Sequence, residues 1–295
     1  MVGSALMRRL ERGGYRNIIT RTRAELDLLS QEQVRCFFAE HKPEYTFIAA
    51  AKVGGIQANN TYRAEFLYQN LMIQCNIIHA AWQAGVQRLL CLGSSCIYPR
   101  DCTQPIREEY LLQGVLEPTN EPYAIAKIAG VKLCENYNRQ YGTSFISAMP
   151  TNLYGPNDNY DLETSHVLPA LIRKAHEAKV QGHKQLQVWG SGRPLREMLY
   201  VDDMADACVF LMEKGVKDGL YNVGCGRDTS IRELAETAMR VVGFEGSIVF
   251  DSSKPDGTAR KLLDVERMRA LGWSASTTLE DGIALAYRDF LTRYS

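Results

Sequence analysis

Short apolar runs and helix-period segments alternate along the first half of the chain. Residues 17–22 (NIITRT), 45–51 (YTFIAAA), 88–95 (RLLCLGSS) and 145–152 (FISAMPTN) read as strands. Residues 2–12, ending at Gly13-Gly14, and residues 31–41, 64–84 and 121–141 read as helices. Strand–helix alternation of this kind predicts βαβ units and a parallel, doubly wound α/β sheet. The second half is more mixed. It predicts helices over 167–178, 203–214, 230–242 (Ser230 as N-cap) and 278–291, and strands over 186–189, 197–201, 220–223 and 248–251. The sequence KPDG at 254–257 predicts a turn.

The opening register is unusual for such a sheet. A dinucleotide-binding βαβ unit begins with a strand, then a three-glycine turn, then a helix. Here the first helix starts at once, and Gly3 alone matches a fingerprint glycine, the last of the three. The expectation is a Rossmann-type sheet without its first strand. Residues 1–152 would form the dinucleotide-binding domain. Residues 153–295 would form a smaller, mixed α/β substrate domain, with some segments returning to the first.

Composition narrows the function. The 295 residues carry 34 Lys+Arg and 34 Asp+Glu, a formal net charge of zero. Nucleic acid or an anionic membrane as the main partner would need a basic surplus. Hydrophobic residues at 45% and charged residues at 23% suit a globular fold, and no apolar run approaches the roughly 18 residues of a membrane span. The apolar stretch near Met1 precedes Arg8 and Arg9, the reverse of a secretory signal. The eight cysteines form no CxxC pair and read as reduced thiols in a cytoplasmic protein, and the histidines show no metal-ligand spacing.

The strongest chemical feature is Tyr123-x-x-x-Lys127 with Ser94 upstream. Residues four apart on a helix share a face. An ammonium there is expected to lower the phenol pKa from about 10 toward neutrality, which suits a general acid for carbonyl reduction. Ser94, at a strand's C-terminal end, is placed to hydrogen-bond the same carbonyl. A chain with 15 tyrosines meets the spacing by chance, so its position between strands is what gives it meaning. The strand predicted at 17–22, the second strand of a complete dinucleotide-binding unit, runs into Thr20-Arg21-Thr22-Arg23 with no acid before Glu25. A guanidinium there favours a 2′-phosphate, hence NADP(H), with Arg23 as the contact and Arg21 as a solvated surface residue.

Longer segments carry a resemblance: AAAKVGGIQANNTY (49–62), LGSSCIYP (92–99), LEPTNEPYAIAKIAG (116–130), MPTNLYGPNDNY (149–160), SHVLPALIRK (165–174), VWGSGRPLREMLYVDDMA (188–205) and KPDGTARKLLDV (254–265). With these the chain resembles the extended short-chain dehydrogenase/reductases that act on nucleotide sugars, and among them the GDP-L-fucose synthase family. That resemblance implies NADPH-dependent 3,5-epimerisation and 4-reduction of GDP-4-keto-6-deoxy-D-mannose to GDP-L-fucose, by a homodimer paired through its two long N-terminal helices. It implies Cys96 (base) and His166 (acid) as the pair exchanging protons at C3 and C5, beside Ser94, Tyr123 and Lys127. For the cofactor it implies Gly3, Arg23, Asp27, Leu28, Leu92, Gly93, Ser94, Ser95, Lys127, Pro150, Thr151, Asn152, Leu153 and His166. For the substrate it implies Asn152, Lys174, Trp189, Arg196 and Asp256. Cys96 stands where a 4,6-dehydratase would be expected to carry an acid. The competing readings are another nucleotide-sugar epimerase/reductase of the superfamily, and a non-catalytic binding protein that kept the fold but has an incomplete cofactor motif.

Overall fold

The computed structural model describes residues 1–254 and 256–294, Ile56 by its backbone alone. The elements in chain order are α1 (Val2–Arg12), α2 (Gln31–His41), β1 (Tyr45–Ile48), α3 (Ile56–Thr61), α4 (Arg63–Gln83), β2 (Arg88–Leu92), α5 (Glu121–Tyr141), β3 (Phe145–Pro150), β4 (Asn152–Tyr154), α6 (Val167–Val180) and β5 (Gln185–Trp189). Then follow β6 (Leu195–Tyr200), α7 (Val201–Glu213), β7 (Leu220–Val223), β8 (Asp228–Ser230), α8 (Ile231–Val242), β9 (Ser247–Asp251), β10 (Arg260–Lys261), α9 (Glu266–Leu271) and α10 (Leu279–Tyr294).

Strands β1, β2, β3 and β7 pair in that order, all parallel. Their residues are apolar on both faces because helices cover both; Leu89, Leu90, Phe145, Ile146 and Ala148 are buried. On one face α1 packs on α7, and the pairs Arg8–Asp202 and Arg9–Asp206 (2.6 Å) tie the two helices. On the other face lie α2, α4 and α5. Helices α4 and α5 approach closely at Gly130, where a Cβ would stand 2.4 Å from Gln74 Oε1. The Gln74 amide instead donates to the carbonyls of Asn70 and Ala126, both at 2.9 Å. A parallel sheet wound on both faces is the Rossmann-type arrangement the sequence pattern predicts.

Residues 17–22 are not a strand. They lie across a groove of about 1410 Å³ from β1, lined by Leu6, Leu10, Ile18, Phe47 and Ile77 among others. Across that gap their backbone finds no ladder partner among the described residues, and a strand does not persist unpaired. The run 145–152 also divides. Pro150 has no N–H to continue the ladder, and the chain turns at Thr151 into β4, which pairs with β6 instead. Strand β6 carries β10 on one side and, antiparallel, β8. Strands β5 and β9 pair parallel nearby. Helices α6, α8 and α10 enclose a second core around Leu168, Ile172, Leu234, Ile283 and Phe290.

Several boundaries differ from the periodic reading. The strand placed at 197–201 spans Leu195–Tyr200, and Val201 opens α7. Elements α3, β8, β10 and α9 are two to six residues long, too short to show a period. Ser230 caps α8 in a full capping box with Glu233. The turn at 254–257 includes Pro255, which lies outside the described residues.

Asp158, just after β4, is buried. Its Oδ1 accepts the Asn159 N–H at 2.8 Å, while Oδ2 has no hydrogen-bond partner among the described residues. Desolvation lifts its carboxyl from 3.8 to about 6. A raised folded-state pKa means that folding favours the protonated acid. This contribution is therefore fully present below about pH 4 and lost as pH rises through about 6, about 3 kcal/mol in all. Urea unfolding between pH 4 and 7 should show this loss in the parent protein, and Asp158→Asn should flatten it.

Candidate active site

The end of β2 leads into a close-packed turn. A Cβ on Gly93 would lie 2.0 Å from Cε of the buried Met149, so any larger residue here would force that side chain to move. Ser94 is extended, and its Oγ accepts the Cys96 N–H at 3.4 Å, capping the 3-10 turn Ser95–Ile97. Ser95 and Cys96 are buried. Helix α5 presents Tyr123 and Lys127 to this turn, on one face as their spacing predicts. The Lys127 ammonium donates to the Leu92 carbonyl at 2.8 Å and stands 5.7 Å from the centre of the Tyr123 ring. The ring also meets Phe66 edge-on.

The electrostatics depart from the sequence expectation. The Tyr123 phenol lies above its ordinary pKa, not below it. Burial is the main cause, and Cys96 and Cys91 act in the same direction. Burial also pulls Lys127 down, and its hydrogen bond is spent on a carbonyl. The Cys96 thiol is pushed up by burial, opposed first by Lys261, then by Ser94 and Lys127. His166 stands at the N-cap position of α6, and the loop before it rests on Gly55, whose Cβ would lie 3.3 Å from the Thr164 carbonyl. Desolvation lowers the His166 pKa. At rest the turn after β2 therefore holds a phenol and a thiol, and His166, at the start of α6, is a neutral imidazole.

The groove beside β1 gathers Gly3, Arg23, Asp27 and Leu28. Gly3 opens onto free space. Arg21 is engaged: it donates to the Thr20 carbonyl at 2.8 Å and lies over Phe37. Arg23 is exposed and has no ion pair among the described residues. Leu92, Pro150, Thr151, Asn152 and Leu153 do not line this groove; they sit at the C-terminal ends of β2 and β3 and in the turn into β4. The Thr151 hydroxyl and the Asn152 amide both donate to the Glu197 carbonyl, at 3.1 and 2.9 Å.

The residues expected for the substrate also converge. Trp189, at the end of β5, is 55% exposed. The ammonium groups of Lys174 and Lys254 stand 4.8 and 5.3 Å from its ring centre. Arg196, desolvated, donates to the carbonyls of Leu195 and Thr258. Asp256 holds Ser191 through its N–H (2.8 Å) and hydroxyl (2.7 Å), and these bonds keep the carboxylate low. Sequence reasoning missed Lys254, Glu197 and Lys261. The segment KPDGTARKLLDV contains two of them, but nothing in its pattern marked either lysine. Among the described residues, no group of three or more His, Cys, Asp or Glu side chains is placed to hold a metal, and no helix is long and apolar enough to cross a membrane.

This architecture belongs to the nucleotide-binding α/β oxidoreductases and epimerases. The chain is a member of the NAD dependent epimerase/dehydratase family, whose pattern matches residues 1–224. It is 57% identical over 300 residues to the GDP-L-fucose synthase of Escherichia coli (strain K12), covering 99% of this chain and 94% of that one. It is 55% identical to GDP-L-fucose synthase 1 of Arabidopsis thaliana, covering 99% and 90%. The crystal structure of a GDP-L-fucose synthetase from Naegleria fowleri bound to NADP superposes with a TM-score of 0.90 at 28% identity, covering 99% and 91%.

An NMR titration of the His166 ring should give a midpoint below the ordinary histidine value of about 6.5. A midpoint at or above that value would contradict the desolvated ring described here.

Proposed function

We propose that the protein is an NADPH-dependent, bifunctional epimerase–reductase that converts GDP-4-keto-6-deoxy-D-mannose to GDP-L-fucose. One observation carries this reading. A buried thiol, Cys96, shares the pocket of the Tyr123–Lys127–Ser94 group, whereas ketone reduction alone needs no second proton carrier. Relatives at 55–57% identity with the name GDP-L-fucose synthase support it.

The guanine stacks on Trp189, and Lys174, Lys254 and Arg196 face the diphosphate, while Asp256 faces the nucleoside and Asn152 the sugar. The C4 ketone acidifies the hydrogens on C3 and C5. Cys96 removes one from the sugar and His166 returns one on the opposite face, so the centre inverts. Ser94 and Tyr123 donate to the C4 oxygen throughout and stabilise the enolate. NADPH, when bound, supplies a hydride to C4. Tyr123 then gives its proton to that oxygen. Burial keeps the phenol fully protonated until that moment, and the Lys127 ammonium favours the phenolate that results. Gly3, Arg23, Asp27 and Leu28 hold the adenosine end of the cofactor. Leu92, Gly93, Ser95, Pro150, Thr151 and Leu153 face its nicotinamide end, Lys127 the ribose, and His166 borders it.

The same reading divides the chain into residues 1–152 for the cofactor and 153–295 mainly for the substrate. It places the protein in the cytoplasm, consistent with eight free cysteines. It pairs two copies through α4 and α5, on which Tyr68, Ile125 and Tyr141 are exposed.

Purified protein given NADPH and the keto-sugar should lose absorbance at the nicotinamide band and release GDP-L-fucose. Tyr123→Phe should slow reduction by about 100-fold or more, while hydrogen exchange at C3 and C5 with D₂O, still supported by Ser94, slows far less. Cys96→Ser should do the reverse. Binding of both ligands by folded protein without any turnover would sink the proposal in favour of a non-catalytic role.

A further inference from the structure

Lys261 is a lysine that the mechanism above does not use. It lies on β10, whose two residues pair with Leu195 and Arg196 of β6. The backbone that follows is held on two sides. The Ile106 N–H donates to the Leu262 carbonyl and the Asp264 N–H to the Ile106 carbonyl, each at 2.8 Å. The Leu262 N–H reaches Gln104 Oε1 at 2.8 Å, and the Leu263 N–H reaches Glu197 Oε2 at 3.0 Å. Leu263 also shares a buried cluster with Ile97, the residue after Cys96. The segment is thus pinned against the loop that leaves the Cys96 turn.

The ammonium of Lys261 makes no hydrogen bond and no ion pair among the described residues. Desolvating an ammonium without a partner is costly, so its charge calls for a use. The groups that face it are Cys96, which attracts it most, Arg196, which repels it, then Cys102 and Glu117. Cys96 in turn feels the charges of Lys261 and Lys127 and of no carboxylate, and it acts on Tyr123. Lys127 is committed to the Leu92 carbonyl, which leaves Lys261 as the uncommitted cation at this thiol.

We propose that Lys261 is a positioning residue for Cys96: its ammonium stabilises the thiolate that removes a proton from the substrate carbon. In that step a C–H bond breaks, an S–H bond forms, and the electron pair passes into the enolate. Without a nearby cation, the buried thiol would ionise too rarely at neutral pH to act as a base. The proposal rests on the role given to Cys96 above, and it extends that role to a residue which touches neither hydrogen.

The test reads the thiol directly. Iodoacetamide alkylation of Cys96, followed by mass spectrometry of its peptide across pH 6–10 in substrate-free protein, gives a midpoint for each variant. Lys261→Met should raise that midpoint by about one unit, so that alkylation near neutral pH slows about tenfold. Lys261→Arg should restore it. The ascending limb of the pH profile for C3/C5 deuterium exchange should move up with the midpoint, while melting temperatures show that both variants fold. An unchanged midpoint in Lys261→Met would overturn the proposal; a rise in KM for the GDP-sugar with that midpoint unchanged would make Lys261 a phosphate ligand instead. If the midpoint shifts but Cys96→Ser still exchanges C3 and C5 normally, the role of Cys96 fails and the Lys261–Cys96 coupling stands.

Discussion

The carboxylate of Glu197, fully enclosed in β6, joins the parts of the chain that make the site. One oxygen accepts the Gly226 N–H at 2.7 Å from the turn after β7, and the other accepts the Leu263 N–H at 3.0 Å beyond β10. The backbone carbonyl of the same residue receives Thr151 and Asn152, where the chain crosses from β3 to β4. A buried carboxylate without a cation is costly unless backbone donors saturate it. Here burial raises its pKa and the amide donors oppose that rise. Those donors come from segments remote in sequence, so Glu197 is satisfied only when the large sheet, β6 and the segment carrying Lys261 are all in place. Folding of the scaffold and assembly of the site are one event at this residue.

Burial also sets the chemistry around the Cys96 turn. Desolvation favours the neutral form of every titratable group, whichever its charge sign. It keeps the Tyr123 phenol and the Cys96 thiol protonated, lowers Lys127 and Lys261, and leaves His166 as a free base. The phenol, the thiol and the imidazole are thus uncharged at rest. Charge develops on them only as the substrate is transformed, where fixed dipoles and ammonium groups act most strongly. At the proposed nucleotide platform Trp189 is open to solvent with Lys174 and Lys254 over its ring, and under that reading their charge would draw in a diphosphate.

Much of the fold was legible in sequence because its signals are local. The apolar runs of β1, β2 and β3, the long periods of α4 and α5, and the Ser230 cap each depend on residues within a few positions. So did the shared face of Tyr123 and Lys127. The site's cysteine, histidine and nucleotide residues were legible only through resemblance, since a lone Cys96 or Trp189 has no local signature. Residues 17–22 show the limit: their composition suits a strand, but a strand exists only where another backbone completes its hydrogen bonds.

By itself, the sequence determined the element types, the parallel α/β class and the identities of the reactive side chains, because these follow from periodicity and residue chemistry. The tertiary structure alone decided which protonation state each group rests in, because desolvation and Coulomb interactions depend on what packs around a group and not on its neighbours in sequence. It alone brought Lys261 toward Cys96 across 165 positions of chain, through a two-residue strand too short for any pattern to announce.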